Sequence, residues 1–157
     1  MRKFLSLVVS LAVAYGAAAI GSYFTIAEIT GWYAGLAKAL LNPPTWVFGP
    51  AWTILYTLMA IAAWRVYEKG HRTKKTREAL GLYALQLSVN VLWSLIFFGF
   101  HSLFGGVAGI LTLLVLIVLT AERFYKIDRI AGWLFAPYIA WVSFATYLNV
   151  MATLLNQ

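Results

Sequence analysis

The chain of 157 residues has no cysteine, which excludes disulfides, thiolate metal sites and cysteine nucleophiles together. Acids are scarce as well, with five Asp and Glu in all and two histidines. The acids are scattered, and His71 and His101 fall in polar breaks expected on opposite sides, so no metal cluster is apparent. A nucleophile–base–orienter set is equally hard to assemble, and no catalytic residue is assigned. Charged residues make up 11% of the chain and hydrophobic ones 62%. A soluble domain carries roughly 25% and 45–50% respectively, so the composition is that of a membrane protein. The net charge of +7 sits in short loops between apolar runs. Membrane topology therefore explains it better than a nucleic-acid partner.

Proline is also rare, and three of the four lie in residues 32–56, together with three of the seven tryptophans. This stretch separates two apolar runs. Asn42-Pro43-Pro44 breaks the backbone, because each proline lacks an N–H and restricts the residue before it. A loop leading straight into an aromatic helix is an odd anchor, but it suits a lid over something flat and apolar.

The apolar runs predict an all-α fold, an integral membrane bundle of five transmembrane helices with a long loop between helices 1 and 2. About 20 apolar residues suffice to cross hydrocarbon. The spans are expected at about 4–27, 45–67, 79–100, 104–122 and 130–155, as a single domain over 1–157. The first run, behind Met1-Arg2-Lys3, also has the form of a signal peptide. It is longer than a usual signal core and reads as a span. Bends are expected near Pro50 and Pro137. A polar connection is expected over 65–78, and turns at His101-Ser102 and Gly105-Gly106. No internal repeat is evident. Arg2, Lys3, the six basic residues of 65–77, and Arg123, Lys126 and Arg129 fall on one side, with only Lys38 on the other. The positive-inside rule then puts the N-terminus in the cytoplasm and the C-terminus outside a bacterial plasma membrane.

Three spans bring polar or aromatic groups to one depth. At 1.5 Å rise per residue, Trp52 lies roughly 12 Å from the outer end, Asn90 and Ala145 roughly 15 Å, and Asn149 roughly 9 Å. Gln86, Asn90, Ser94 and Phe97 form one helical stripe. A side-chain amide facing lipid is costly, so this stripe should face the bundle interior, where it either links helices or meets a ligand. Trp141, Ala145 and Asn149 form a second stripe, with the small Ala145 leaving room beside Trp141. Trp46, Trp64 and Trp133 lie near span ends and fit an interfacial belt. Trp52, Trp93 and Trp141 lie deeper.

Trp32-Tyr33, Leu36, Lys38, Asn42-Pro43-Pro44, Phe48, Trp52 and Leu55-Tyr56 resemble the signature of the TspO/MBR family of tryptophan-rich sensory and translocator proteins. The resemblance continues through Gln86-Leu87, Asn90, Trp93 and Phe97-Phe98. It resumes at Ala131-Gly132-Trp133, Pro137-Tyr138, Trp141, Ala145-Thr146 and Leu148-Asn149. It implies a five-helix bundle, expected as a homodimer, that binds porphyrins, sterol-like lipids and benzodiazepine-site ligands under the first loop. The ligand-binding positions it implies are Trp32, Trp52, Tyr56, Asn90, Trp93, Trp141, Phe144, Ala145, Leu148 and Asn149. Porphyrin enters as ligand, and no cofactor is expected. Ala39, Leu40 and Leu41 depart from the family pattern, which has Pro at the first and often aromatics at the others. After Leu148 the chain lacks the Tyr and basic residue of the sterol consensus, so tight sterol binding is not expected.

The function expected is a membrane receptor or sensor for tetrapyrroles, with membrane lipid as surroundings. The alternatives are a small transporter of porphyrin or lipid-like molecules, light-dependent porphyrin degradation, and an assembly scaffold. For the last, Gly105 with Gly109, or Ala12 with Gly16, would give close helix contact in a dimer.

Overall fold

In hydrocarbon a chain must satisfy its own backbone N–H and C=O groups, and a helix does this within one segment. The computed structural model describes residues 1–157 and contains helices and no strand. Five segments are long and apolar enough to cross a membrane: Arg2–Thr30, Thr45–Gly70, Lys74–Gly99, Leu103–Ile127 and Arg129–Leu155. In order, the helices are α1 (Arg2–Thr30), the short α2 (Trp32–Gly35), α3 (Phe48–Gly70), α4 (Lys74–Ser94), α5 (Leu103–Ile127), α6 (Arg129–Trp133) and α7 (Ala136–Leu155). A 3-10 turn, Thr45–Val47, leads into α3, and a π turn, Leu95–Gly99, closes α4.

Several junctions differ from the sequence reading. The polar stretch over 65–78 is mostly helix, with only His71-Arg72-Thr73 between α3 and α4. Thr73 caps α4 by accepting the Thr76 N–H at 3.2 Å. Such a cap satisfies a first-turn donor and lets the helix start beyond the apolar run. Gly105 and Gly106 are not a turn. The turn is at 100–102, where His101 takes φ 52° and Ser102 caps α5 through the Gly105 N–H. Gly106 lies inside α5 because space is short there. A Cβ on it would stand 2.3 Å from the Phe97 ring. Gly109 faces Trp93 of the same chain, so the Gly105–Gly109 pair serves packing within the bundle. Pro50 does not break α3, since it sits in the first turn, where its missing N–H has no partner to lose. The break before Pro137 is real. α6 stops at Trp133, four residues ahead of that ring, as a proline clash with the i−4 carbonyl requires.

α1 packs against both α3 and α4, α5 packs against α4 and α7, and α3 meets α6. α3 is pinned to α6 at one end, and it meets α7 mainly through side chains, Phe48 against Trp141 and Trp52 against Tyr138. Tyr138, Phe97, Phe124 and Phe135 fill the core, while Phe4, Val9, Ile20, Val115 and Leu119 turn outward. Apolar side chains on the outside are expected where lipid is the solvent, and this is an integral membrane protein.

The pin is Asp128. Its Oδ1 accepts the N–H groups of Ile130 and Ala131 at 2.9 and 3.2 Å, and Arg65 Nη2 reaches Oδ2 at 2.9 Å. Burial pushes this carboxyl upward, but the Ala131 N–H, the Arg65 guanidinium and the Ile130 N–H outweigh it and hold it below the usual range. A depressed carboxylate stabilises the fold above its unfolded pKa of about 3.9, and that share is lost as pH falls through the folded value. Asp128→Ala is expected to cost at least about 1–2 kcal/mol at pH 7, the range for a lost cap, because it also leaves the partly buried Arg65 without its partner. Thermal melts at pH 7 and pH 3 check this. The deficit should be present at the first and shrink at the second.

Candidate functional site

α1, α3, α4 and α7, with the loop before α3, surround a partly open cavity of about 630 Å³. Small-molecule sites run from about 300 to 1,000 Å³, mostly apolar with a few polar groups. Each wall follows from helical spacing. Trp52 and Tyr56 lie one turn apart on α3, Asn90 and Trp93 on α4, and Trp141, Ala145, Leu148 and Asn149 along one stripe of α7. These eight expected positions line the cavity. Trp32 and Phe144 do not. Trp32 instead stacks on His101, with ring centroids 4.4 Å apart and 14° between planes, and meets Phe97 edge-on. Phe144 packs outside, between Trp141 and Tyr147.

The aromatic lining is ordered. Trp52 and Trp93 lie 6.4 Å apart with planes inclined at 34°, and Trp93 stacks on Phe97 at 5.8 Å. Trp141 meets Phe48 edge-on at 6.0 Å. Trp93 Nε1 donates to Asn149 Oδ1 at 3.3 Å, tying α4 to α7. The Trp141 Nε1–H is buried with no acceptor in the chain. A buried donor without a partner costs about 1–3 kcal/mol.

Asn90 is committed to the fold. Its Oδ1 accepts from Tyr56 at 3.1 Å, and its Nδ2 donates to the Tyr138 hydroxyl at 2.6 Å. Tyr138 in turn donates to Gln86 Oε1 at 3.1 Å. The stripe on α4 is therefore the middle of a buried chain of hydrogen bonds joining α3, α4 and α7. Of the two interior roles open to these amides, linking helices is the one both of them perform. Tyr138 is the hub, fully buried behind the cavity wall.

The loop forms the roof. Tyr33 is buried and donates to Asn42 Oδ1 at 2.7 Å, and burial holds its phenol above the ordinary value, keeping it a donor. Lys38 Nζ caps the carbonyls of Ala34 and Leu36 and lies 5.4 Å from the Tyr33 ring centre. At the far side, Asn156 pairs with the backbone of Ala37 in both directions at 2.9 Å. Asn156→Ala should remove both bonds, worth about 1–3 kcal/mol together. Hydrogen exchange over residues 36–42 should then rise while the five spans keep their protection. The sequence reading missed Asn156 and Tyr33 as roof ties. It also missed α1, whose Ala18, Ser22 and Thr25 line the cavity, because a uniformly apolar run carries no stripe to read.

A model of the TspO/MBR family matches residues 8–155. The chain belongs to the TspO/MBR family. It is 40% identical to the tryptophan-rich protein TspO of Chlorobaculum tepidum, over 97% of this chain and 95% of that one. It is 41% identical to the tryptophan-rich sensory protein of Cereibacter sphaeroides, over 80% of this chain and 77% of the other. The human translocator protein is 38% identical over 83% of this chain and 78% of its own length. These names place the chain in a family of membrane receptors and sensors.

Proposed function

We propose that this TspO/MBR protein binds a porphyrin, or a flat apolar molecule of similar size, in the cavity beneath the loop between its first two spans. The single observation that supports this reading most is the partly open aromatic chamber, whose lining includes Trp46, Trp52, Trp93 and Trp141. Flat rings favour offset-stacked and edge-on contacts with such walls. The polar lining is confined to one half of the bundle, and no ionisable side chain other than tyrosine lines the chamber, so a receptor is favoured over a gradient-coupled transporter. The concentration of Lys and Arg at the Asp128 end supports a roof on the outer face of a bacterial plasma membrane, with the N-terminus cytoplasmic. A homodimer remains part of the proposal, and the exposed Ala12–Gly16 face of α1 is open for it.

The test is titration of tryptophan fluorescence with protoporphyrin IX beside a sterol and a benzodiazepine-site ligand. Saturable quenching by porphyrin, with weaker quenching in Trp141→Ala, is expected. Linear, non-saturating quenching that is equal in the variant would remove the cavity from the reading. A second reading, light-dependent porphyrin breakdown, draws on the indoles that line the chamber. Equal loss of porphyrin absorbance under light in wild type, Trp52→Phe and Trp141→Phe would exclude those tryptophans from it.

A further inference from the structure

The Asp128 end holds a second, smaller hollow, a cleft of about 300 Å³ lined by Lys3, Trp64, Arg65, Glu68, Lys69 and Asp128. Its walls come from the start of α1, the last turns of α3 and the cap of α6. Its two acids are occupied. Glu68 accepts the Ser6 hydroxyl at 2.7 Å, and Asp128 is taken by Arg65 and two backbone N–H groups. Two of its three cations are not: neither Lys3 nor Lys69 forms an ion pair, whereas Arg65 is paired with Asp128. The cleft therefore carries three cations against two carboxylates, and its two free ammonium groups suit a phosphate group.

Its surroundings distinguish a lipid from a free ion. Trp64 lies at the end of its span and donates from Nε1 to the Lys3 carbonyl at 3.1 Å, the interfacial position of an indole. Beside Lys3, Phe4 and Leu5 turn outward, 72% and 62% exposed, and offer apolar surface toward the bilayer. We infer that this cleft binds the phosphodiester headgroup of an anionic phospholipid, with Lys3 and Lys69 as counter-ions and the acyl chains along Phe4 and Leu5. Basic hollows at span ends suit anionic headgroups in general. This site is separate from the cavity and does not depend on what the cavity binds.

The purified chain in neutral detergent would be titrated with phosphatidylglycerol, phosphatidylcholine and inorganic phosphate, and bound lipid read by native mass spectrometry. Phosphatidylglycerol should bind in preference to phosphatidylcholine. Lys3→Gln and Lys69→Gln should each weaken it about fivefold and the double variant about 25-fold, on the usual worth of one lysine near a lipid surface. Lys74→Gln with Lys75→Gln removes the same charge from outside the cleft and should change binding less than about twofold. Lipid-free melting temperatures of all variants should stay near wild type, since Lys3, Lys69 and Lys75 are exposed and unpaired and the exposed Lys74–Glu78 pair is worth little. Undiminished binding in the cleft double variant, or equal loss in the control pair, would overturn the site. Inorganic phosphate binding with the same lysine dependence would overturn the lipid assignment.

Discussion

Ala145→Trp is expected to abolish saturable porphyrin quenching, with binding weakened at least about 100-fold, a loss of about 2.7 kcal/mol. Ala145 sits between Trp141 and Asn149 on the cavity stripe of α7. An indole there occupies the volume a planar ligand would need. Growth into empty space avoids most of the strain, about 1–3 kcal/mol, that extra atoms cause in a packed core. The melting temperature should therefore stay near wild type while binding disappears. Fluorescence titration and thermal melts on the same preparation check both halves. Retained binding in a folded variant would place the ligand elsewhere.

The second large effect is on stability. Tyr138→Phe removes one oxygen yet leaves two buried amides short, since the hydroxyl accepts from Asn90 and donates to Gln86. Leaving a buried polar group unsatisfied costs about 1–3 kcal/mol, so about 2–6 kcal/mol is expected for the two. Tyr138 does not line the cavity, so porphyrin affinity of the folded fraction should change less than about threefold, below about 0.7 kcal/mol. Denaturation in detergent with titration at low temperature separates the two. A large loss of affinity without loss of stability would show that the hydroxyl serves the ligand rather than the bundle.

Both expectations turn on what could and could not be read from the chain. The five spans were legible because uncharged runs of membrane length have few other uses. The inward face of α4 was legible because Gln86, Asn90, Ser94 and Phe97 repeat at helical spacing and amides avoid lipid. Which neighbour each amide would take was not. That depends on how α7 rotates, and Tyr138 carries no signal separating a network hub from a lipid-facing phenol. Trp32 was misplaced for a similar reason. Its position in the loop suggested a roof over the ligand, but the partner that claims it, His101, lies in a distant turn set by a positive φ. Gly105 and Gly106 read as punctuation, whereas Gly106 answers to the Phe97 ring across a helix contact. Local pattern gives element and face, and contacts between distant segments decide the rest.

The same division holds for the roof. Asn42 and the prolines announced a break, and Lys38 a polar face, yet the tie from Asn156 to Ala37 joins the last residues of the chain to the first loop. No spacing rule links them. That tie and the Tyr33–Asn42 bond make the roof a fixed part of the described fold.

A flat ligand is expected between α3, α4 and α7 beneath this roof. Anomalous diffraction from crystals soaked with zinc protoporphyrin locates one heavy atom and tests it most directly. A single zinc peak is expected inside the chamber, flanked by Trp52, Trp93 and Trp141. A peak on the lipid-facing surface or among the loops, with the chamber unfilled, would contradict it.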